Sequence, residues 1–566
     1  MLDTDKTFVN IILDVMEQKG VRDAVCSPGS RNAPLLIGLA ARDSIRKHPV
    51  LDERSAAFQA LGISMVSKRP VALICTSGTA LLDYAPGVAE AFYQGVPLIV
   101  ISADRPIQWI DQDDSQTLRQ YEALSNFVKR SYNLPAYGQN EKELQWFANR
   151  IINDAIATAI SGKPGPVHVN IELSEPLGNK IKREKFTQRI IDTIEADTIG
   201  NKEIIKKLAD ELSHSRVLLV AGFLLPDAAL QKAVAAFAGF PNVAVMAETL
   251  SNLHLKEEDH SIDSVLTSLS EEDLKRLAPD IVISIGGALV SRKLKEYLRN
   301  QNNNVKHWSV GYSNSSIDPF MSLHLRTDTE PARFFRNITA ALRKKLIKVN
   351  LAEFSEEWKQ ARMRALISKT EFIDKAPWCE LRAFSVILKE IPGRYNLFLS
   401  NGTPVRYAQL INYVLPHGNY CNRGVSGIEG SVSTAIGGAK AYPHPTLIIT
   451  GDLSLAYDVD SLGISEVPDN FKIIVIDNQG GGIFRFIGST SSLEEREKYF
   501  CIPQNLPLKQ LAQAYGWDFF EAENLPSLIQ NLHKFFSNGR KAILRVTCDG
   551  KESAEILKRY MTIKNK

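Results

Sequence analysis

Short runs of aliphatic and β-branched residues recur along the chain, and longer helix-like stretches separate them. Ten of these runs are continuous rather than alternating in polarity, and they cover residues 23–27, 71–76, 97–102, 167–172, 216–222, 280–286, 395–400, 446–450, 472–476 and 541–546. Continuous apolar runs of this length are typical of strands buried on both faces, in parallel sheets covered by helices. The pattern therefore predicts an α/β fold with parallel sheets.

Two stretches break this alternation and indicate domain boundaries. Residues 178–200 are charged and are predicted to lack a strand, and residues 345–375 are predicted to form a polar helical segment. At roughly 150 residues per domain, a chain of 566 residues is expected to hold three or four domains. The sequence therefore predicts three doubly wound domains, at 1–180, 198–345 and 375–566.

The composition excludes several classes of protein. Hydrophobic residues make up 44% and charged residues 23%, which is typical of a globular protein, and a net charge of +3 favours neither a nucleic-acid partner nor a membrane surface. Six scattered cysteines without a CxxC pair argue against a disulfide framework and a zinc site. No apolar run approaches a membrane span or a signal peptide, so we expect a cytoplasmic protein.

Polar and glycine-rich motifs follow the predicted strands, but unevenly. They occupy 27–35, 52–58, 76–80 and 102–106 in the first domain, and 400–407, 422–430, 450–458 and 475–484 in the third. In parallel sheets, ligands bind at the carboxyl ends of the strands. This distribution predicts a site built from the first and third domains. The central domain has only one such motif, at residues 284–294, and this motif lacks the GxGxxG order of a dinucleotide site. We therefore expect the central domain to have a supporting or regulatory role.

The third domain contains a pattern suited to a divalent cation. Asp452 and Asn478 each follow a predicted strand, and their separation of 26 positions allows the two strands to be adjacent and parallel. A carboxylate, an amide oxygen and a turn carbonyl are ligands that Mg²⁺ accepts together with diphosphate and water. The neighbouring glycines would let a diphosphate approach backbone N–H groups. The alternative is an ordinary strand–turn–helix without a ligand.

Gly-Asp followed in the mid-twenties by Asn in a glycine turn resembles the fingerprint of thiamine diphosphate enzymes. The resemblance implies a pyrimidine-binding domain, a central domain and a diphosphate-binding domain, in this order along the chain. It implies that Mg²⁺ or Mn²⁺ is held by Asp452, Asn478 and the Gly480 carbonyl. It also places at the cofactor Gly451, Leu453 and Ser454. The common pattern has Asn where this chain has Asp477, and Asp477 receives no role.

Glu53 is the candidate catalytic acid. It lies in "DERSAAF", at the start of a predicted apolar helix. Thiamine diphosphate enzymes, which the chain resembles, need a carboxyl group against the aminopyrimidine of the cofactor, and burial raises the pKa of this group. The alternative is an ordinary acid stabilised at a helix N-terminus. Because the pyrimidine and diphosphate sites of these enzymes usually meet across a subunit interface, the resemblance implies a homodimer or a dimer of dimers with shared active sites.

Arginine recurs in the motifs, which indicates substrates with several carboxylates. The motif arginines are Arg31, Arg54, Arg105, Arg119, Arg292, Arg406 and Arg423. The chain has no His-His pair of the kind common in pyruvate-type decarboxylases. A surface ion pair is the alternative for each arginine, and it is strongest for Arg119 and Arg292.

In order, "SPGSRNAPL", "DERSAAF", "TSGTA", "SADRP", "SQTLRQ", "NRGVSGIEG", "GDLS" and "GGGIF" resemble the 2-succinyl-5-enolpyruvyl-6-hydroxy-3-cyclohexene-1-carboxylate synthase family of menaquinone biosynthesis. The resemblance implies a transferase that decarboxylates 2-oxoglutarate and adds the succinyl unit to isochorismate. Both substrates are dianions, which fits the arginines. The alternatives are another thiamine diphosphate carboligase of the acetolactate synthase type, and a non-catalytic cofactor-binding regulator.

The same resemblance assigns the substrate pocket. Isochorismate would face Ser30, Arg31, Arg105 and Gln116. The distal carboxylate of the succinyl unit would be bound by Arg406, and the basic wall would be completed by Arg423 and Arg292. Ile428 would wedge between the two rings of the cofactor, and the reactive ring would be covered by Ile483 and Phe484. Where many family members have Ser, this chain has Gly402, so Thr403 or a backbone N–H is left as the replacement.

Overall fold

The computed structural model describes residues 2–137, 140–183, 187–193, 201–255, 261–301, 305–348, 351–411 and 417–564. The chain divides into two compact units. The first comprises residues 1–196, 422–446 and 457–471, and the second comprises residues 197–421, 447–456 and 472–566.

The first unit is built on a six-stranded parallel sheet. Its strands occur along the chain as β2 (Asp23–Cys26), β3 (Arg46–Pro49), β4 (Val71–Cys75), β5 (Leu98–Asp104), β6 (Ser131–Leu134) and β7 (Val167–Glu172). Their order in space is β3-β2-β4-β5-β7-β6, so β2 and β4 lie side by side within a doubly wound arrangement. Helices on the two faces are α1 (Thr7–Gln18), α2 (Ala33–Ala40), α3 (Glu53–Ser67), α4 (Ala80–Asp83), α5 (Ala85–Gln94) and α6 (Glu141–Ile160).

A small antiparallel pair corrects one prediction from the sequence. The charged stretch 178–200 was expected to lack a strand, but β8 (Lys180–Lys182) pairs with β1 (Leu2–Thr4). Backbone hydrogen bonds carry this pairing, and the β8 side chains are exposed. An exposed lysine-rich strand leaves no apolar pattern in the sequence, which is why the prediction was wrong.

Two further segments belong to the first unit although they come from far along the chain. One contains α16 (Ser431–Lys440), and the other contains the 3₁₀ helix Val459–Gly463. A Cβ at Gly62 of α3 would lie 1.9 Å from the Thr434 carbonyl oxygen of α16. Only glycine allows this approach, so the packing of α16 sets the position of α3, the helix that begins with Glu53.

The second unit contains two parallel sheets. The sheet of the central region has the spatial order β10-β9-β11-β12-β13. Its strands and helices are α7 (Lys202–Ser213), β9 (Val217–Ala221), α8 (Ala228–Ala238), β10 (Val243–Ala247), α9 (Ile262–Ser268), α10 (Glu271–Arg276), β11 (Ile281–Ile285), α11 (Arg292–Arg299), β12 (Lys306–Val310), β13 (Leu323–Thr327) and α12 (Pro331–Leu342).

The predicted polar helical segment at 345–375 is confirmed as a helix from 354 onward, α13 (Phe354–Lys375). It is more than a connection between domains. Trp358, Ala361 and Ala365 are fully buried in the apolar core beneath the central sheet. Its polar appearance comes from its solvent face, and the apolar stripe joins it to the central sheet.

The second sheet of this unit has the spatial order β15-β14-β16-β17-β19-β18. Its elements are α14 (Glu380–Glu390), β14 (Asn396–Leu399), α15 (Thr403–Leu410), β15 (Asn419–Tyr420), β16 (Thr446–Gly451), α17 (Asp452–Tyr457), β17 (Phe471–Asp477), α18 (Arg496–Tyr499), α19 (Leu508–Ala514), β18 (Asp518–Ala522), α20 (Leu525–Ser537), β19 (Ala542–Thr547) and α21 (Gly550–Thr562). The strands β16 and β17 are neighbours, which confirms the predicted adjacency of the strands before Asp452 and Asn478.

All ten predicted strands are confirmed, and the three sheets confirm the α/β class. The predicted domain boundaries stay a prediction. Three of the predicted limits, residues 1, 198 and 566, lie outside the described residues. None of the described helices has the length and apolar character needed to cross a bilayer.

Candidate active site

Asp452 lies where β16 ends and α17 begins, and its carboxylate joins two turns. Oδ1 accepts a hydrogen bond from the backbone N–H of Leu453 at 2.9 Å, and Oδ2 accepts one from the N–H of Gly480 at 2.8 Å. Burial, followed by the nearby Asp477 carboxylate, raises the pKa of Asp452 to about 6. Asp452 therefore ties its own helix start to the glycine turn after β17, and a metal site shared by these two turns stays a prediction.

Asn478 follows β17 and is buried. Its Nδ2 donates a hydrogen bond to Oε1 of Glu380 at 3.0 Å. Its Oδ1 is buried and has no hydrogen-bond partner among the described residues. Because a buried acceptor without a partner is costly, this oxygen points to a ligand. An amide oxygen close in sequence to the Asp452–Gly480 hydrogen bond is suited to a hard cation.

The glycines of the turn are required by the protein itself. Gly480 and Gly481 have positive φ, +92° and +54°, and a Cβ on either would lie within 2.4 Å of a carbonyl oxygen in residues 500–502. The sequence explained these glycines by the approach of a diphosphate, but the packing of residues 500–502 is the reason that the structure shows. At Gly451, by contrast, a Cβ would meet no atom within 4 Å.

Asp477, which received no role from the sequence, forms an ion pair. Its Oδ2 accepts hydrogen bonds from Arg545 Nε at 2.8 Å and Nη2 at 2.5 Å, and Arg545 also contacts Glu521 at 3.1 Å. Its Oδ1 accepts the N–H of Gln479, which has a φ of +60°. Asp477 therefore joins the start of the turn to β19, and the ion pair with Arg545 requires a carboxylate.

The remainder of the turn forms a short 3₁₀ helix, Gly482–Arg485. Ile483 and Phe484 are partly buried, and the Phe484 ring meets Phe500 edge to face at 5.5 Å. Arg485 is buried, forms an ion pair with Glu497 at 3.0 Å, and approaches the Gly480 carbonyl at 3.4 Å. The two apolar side chains therefore follow Asn478 and Gly480 on the same turn, and their place over the reactive ring stays a prediction.

Glu53 begins α3 in the first unit, as the sequence predicted. Asp52 caps the helix by accepting the N–H of Ser55 at 2.8 Å, so the cap does not use the Glu53 carboxylate. Glu53 is partly buried, and burial is the main cause that raises its pKa, with smaller effects from Asp83 and Asp52. A carboxyl group that holds its proton to a higher pH is suited to general acid chemistry.

The residues after Glu53 contact a segment from far along the chain. Ser55 donates a hydrogen bond to Asp460 Oδ2 at 2.6 Å, and Arg54 lies 3.6 Å from Asp460 Oδ1. Asp458 accepts the N–H and the hydroxyl of Ser433 at 2.8 Å, and burial raises its pKa to about 7. These contacts give Arg54 an ion-pair partner and hold the start of α3 against α16.

Arg31 and Arg105 lie close enough to influence each other electrostatically. Burial, followed by the charge of Arg105, lowers the pKa of Arg31. Arg31 is buried and contacts the Leu173 carbonyl at 3.0 Å and Glu175 at 3.2 Å. Arg105 pairs with Asp114 at 2.9 Å. The two predicted substrate arginines are therefore brought together, and Ser30 beside them is exposed.

Gln116 is exposed and adopts a φ of +54°, with its backbone against Gly78 of the "TSGTA" motif. Gln120 holds this region in place, because its Oε1 accepts the Gly78 N–H at 2.8 Å and its Nε2 donates to the Ala103 carbonyl at 3.1 Å. The predicted residue Gln116 thus lies against the motif that follows β4, and Gln120 fixes that motif.

The loop with Arg423 and Ile428 is organised by Glu90, a residue that the sequence did not single out. Glu90 of α5 is buried, and its carboxylate accepts the backbone N–H groups of Gly424 at 2.5 Å, Val425 at 2.7 Å and Ser426 at 3.4 Å. Arg423 is buried and Ile428 is partly buried. A lone Glu in an amphipathic helix carries no signal for this role.

Arg406 lies in the first turn of α15, and its Nη1 donates to the Gly402 carbonyl at 2.6 Å. Gly402 has a φ of +93°, a conformation that strains any side chain. Burial raises the pKa of Glu380 to about 7, and hydrogen bonds from Asn478 and Thr403 oppose this rise. The replacement of the family Ser by Thr403 or by a backbone N–H stays a prediction.

Arg292 is largely exposed and forms an ion pair with Glu296 one turn along α11, at 2.8 Å. Arg119 is 84% exposed and pairs with Asp111 at 2.8 Å. Both arrangements correspond to the surface ion pairs that were the alternative for these two arginines. The role of Arg292 in a substrate pocket stays a prediction.

A comparison with protein families concerns the first sheet. Residues 6–123 match the family model described as thiamine pyrophosphate enzyme, N-terminal TPP binding domain. The matched region includes Glu53 and the motifs with Arg31 and Arg105. This match covers the first sheet alone, and together with the full-length relatives described next it identifies the protein as a thiamine diphosphate-dependent enzyme.

Comparison with individual proteins is more specific. A 2-succinyl-5-enolpyruvyl-6-hydroxy-3-cyclohexene-1-carboxylate synthase of Porphyromonas gingivalis is 38% identical over 565 residues, 99% of this chain and 97% of the relative. Synthases of the same name from Flavobacterium johnsoniae (38% identical, 97% of each chain) and Phocaeicola vulgatus (33%, 100% of this chain and 99% of the relative) are also similar. The chain belongs to this synthase family.

Proposed function

We propose that the protein decarboxylates 2-oxoglutarate and adds the resulting succinyl unit to isochorismate, as a transferase of menaquinone biosynthesis. The full-length similarity to synthases of that name supports the reaction. The single structural observation that carries the cofactor chemistry is the buried Asn478 Oδ1, which has no hydrogen-bond partner among the described residues and lies two residues before Gly480, the donor to Asp452. When bound, thiamine diphosphate supplies the electron sink that stabilises a carbanion after loss of CO₂.

The donor set fits a cofactor diphosphate held through a divalent cation. Asp452, Asn478 and the Gly480 carbonyl would hold Mg²⁺ or Mn²⁺, since all three supply oxygen ligands. Gly451 ends β16, and Leu453 and Ser454 lie in the first turn of α17, so these three residues would line the diphosphate beside Asp452. Ile428 would support the cofactor rings, and Ile483 with Phe484 would exclude water from the reacting carbon.

Glu53 would hold a proton at its carboxyl group, opposite the aminopyrimidine of the cofactor. Burial already favours the protonated form of this group. The arginines would bind the substrates, because two dianions need several cations in a site shielded from water. In this assignment isochorismate contacts Ser30, Arg31, Arg105 and Gln116, and the succinyl carboxylate contacts Arg406, with a basic wall formed by Arg423 and Arg292.

A two-substrate assay tests the reaction. With thiamine diphosphate and Mg²⁺, we expect rapid CO₂ release from 2-oxoglutarate only when isochorismate is present, and a product whose mass equals the sum of both substrates minus CO₂. Pyruvate in place of 2-oxoglutarate serves as the control for an acetolactate synthase-like enzyme. Consumption of pyruvate but not of 2-oxoglutarate would contradict the proposal, and cofactor binding without turnover of either would indicate a regulator.

We also propose a homodimer or a dimer of dimers with shared active sites, located in the cytoplasm. If the Glu53 site and the Asp452 site of one active centre come from two chains, mixing inactive Glu53→Gln with inactive Asp452→Ala should restore activity. Random exchange of subunits would give about a quarter of the wild-type activity per chain, because half of the dimers are mixed and each has one intact site. Sedimentation of the mixture checks its oligomeric state, and no recovery despite exchange would contradict shared sites.

A further inference from the structure

Glu380 is a fully buried carboxyl group for which the proposed chemistry has no assigned role. It begins α14, and its backbone N–H donates to the Ser553 hydroxyl at 3.0 Å. Its side chain reaches Asn478, whose Nδ2 donates to Oε1 at 3.0 Å. Burying a carboxyl group costs free energy unless hydrogen bonds compensate for the lost water, so a buried carboxyl group indicates a specific function. The hydrogen bond from Asn478 indicates what that function is.

The Asn478 amide is confined on two sides. Glu380 accepts from its nitrogen, and a Cβ on Gly482 would lie only 2.3 Å from the same nitrogen. Asn presents one carbonyl oxygen and one NH₂ group, so a contact that fixes the nitrogen also fixes the direction of the oxygen. That oxygen is the buried acceptor without a hydrogen-bond partner among the described residues.

We propose that Glu380 is a positioning residue for the divalent cation: it holds the Asn478 amide with its nitrogen turned inward and leaves Oδ1 free to bind the metal. This inference rests on the proposed function, which places a cation at Asn478. Without Glu380, the amide could turn and present NH₂, which repels a cation, at the metal position. Partners that orient a metal ligand typically change the affinity for the metal by about 10–100-fold when they are removed.

Binding of Mn²⁺ to the full-length enzyme with saturating thiamine diphosphate tests this role, with free Mn²⁺ measured by electron paramagnetic resonance. In Glu380→Gln, the carboxamide can present either oxygen or NH₂ to Asn478, so both amide orientations become possible. We expect Mn²⁺ affinity to fall about 10–100-fold. We also expect turnover to recover as Mn²⁺ is raised to saturation. Unchanged Mn²⁺ affinity in a folded Glu380→Gln enzyme would overturn the proposal.

Ser553→Ala is the matched control. Ser553 is buried and contacts the same helix start through the Glu380 N–H, and its described hydrogen bonds do not include Asn478. We expect this variant to lower the melting temperature and to leave Mn²⁺ affinity at the wild-type value. An equal loss of Mn²⁺ affinity in both variants would mean that Glu380 acts only through the packing of α14, and it would overturn the proposed role.

A reciprocal pair of substitutions keeps the proposal testable if Glu380→Gln is unstable. Asn478→Asp alone places two carboxyl groups against each other and should weaken Mn²⁺ binding. Combining Glu380→Gln with Asn478→Asp reverses donor and acceptor: the carboxamide introduced at position 380 donates to the carboxylate introduced at position 478, and an oxygen again faces the cation. We expect the double variant to bind Mn²⁺ more tightly than Asn478→Asp, and strictly additive losses would contradict the inference.

Wild-type measurements separate this inference from the proposed function. If the wild-type enzyme binds Mn²⁺ with thiamine diphosphate and converts both substrates, but Glu380→Gln behaves like wild type, then only the role of Glu380 is wrong. If the wild-type enzyme binds neither Mn²⁺ nor thiamine diphosphate, the proposed cofactor site fails, and the inference fails with it.

Discussion

Glu53→Gln should abolish most turnover and keep thiamine diphosphate bound. The substitution retains the size of the side chain but removes the carboxyl proton. A positioned acid or base typically contributes on the order of 10²–10⁴-fold to rate, so we expect kcat to fall by that factor. The helix should persist, because Asp52 rather than Glu53 accepts the capping hydrogen bond from Ser55. Steady-state kinetics and calorimetric titration with thiamine diphosphate measure the two quantities.

Asp52→Asn is the matched control for this prediction. It removes a negative charge one residue away, at an exposed position, and Asn caps a helix about as well as Asp. We expect kcat close to that of the wild type, since Asp52 has only a small effect on the pKa of Glu53. Wild-type turnover in Glu53→Gln would refute the catalytic assignment. Loss of cofactor binding in that variant would instead assign Glu53 to binding.

The strands that the sequence predicted and missed differ by their position in the sheets. All ten predicted strands are interior, and the only interior strand that was missed among the described residues is β12, whose sequence KHWSV mixes charged, polar and apolar residues. The six edges of the three parallel sheets are β3, β6, β10, β13, β15 and β18. At an edge one side of the strand needs no partner, so polar sequences are tolerated and most edge strands lack the continuous apolar signal. The edge strand β10 is the exception, because its sequence VAVMA is apolar and buried throughout. Position inside a sheet, rather than burial alone, therefore separates the predicted strands from the missed ones.

The residues of the candidate site also divide into those that a local sequence pattern marks and those that it does not. Asp452, Asn478 and Glu53 could be proposed from the sequence because each stands at a strand end or helix start in a recognisable spacing. Glu90 and Glu380 act through tertiary contacts with backbone or side-chain groups more than 90 residues away in the chain. No local pattern marks such contacts, so single acids in amphipathic helices look like surface residues until the fold brings their partners to them.

Asp477 shows how a departure from a pattern is explained by structure. The sequence assigned it no role, since the common pattern has Asn at this position. Its ion pair with Arg545 needs a charged side chain and links β17 to β19. The departure therefore serves the fold around the turn, and it leaves Asn478 available for the proposed metal.

Asp452→Ala should weaken the binding of thiamine diphosphate and of Mg²⁺ together. The substitution removes the only carboxylate of the proposed ligand set and the acceptor for the Gly480 N–H, whose carbonyl is a second proposed ligand. Because loss of a supporting group alone costs about 10–100-fold, we expect the affinity for each ligand to fall at least about 100-fold. Calorimetric titration of each ligand in the presence of the other measures the effect, since the two binding equilibria are coupled.

Two further variants separate this loss from damage to the fold. Asp452→Asn keeps an oxygen that can accept one of the two backbone N–H groups, so we expect a folded protein with the same loss of cofactor affinity. Asp477→Asn removes a neighbouring charge and the ion pair with Arg545, which should lower the free energy of unfolding by about 1 kcal/mol and leave cofactor affinity near that of the wild type. Normal affinity for thiamine diphosphate and Mg²⁺ in a folded Asp452→Asn enzyme would place the cation elsewhere, because a charge-bearing ligand cannot be removed without cost.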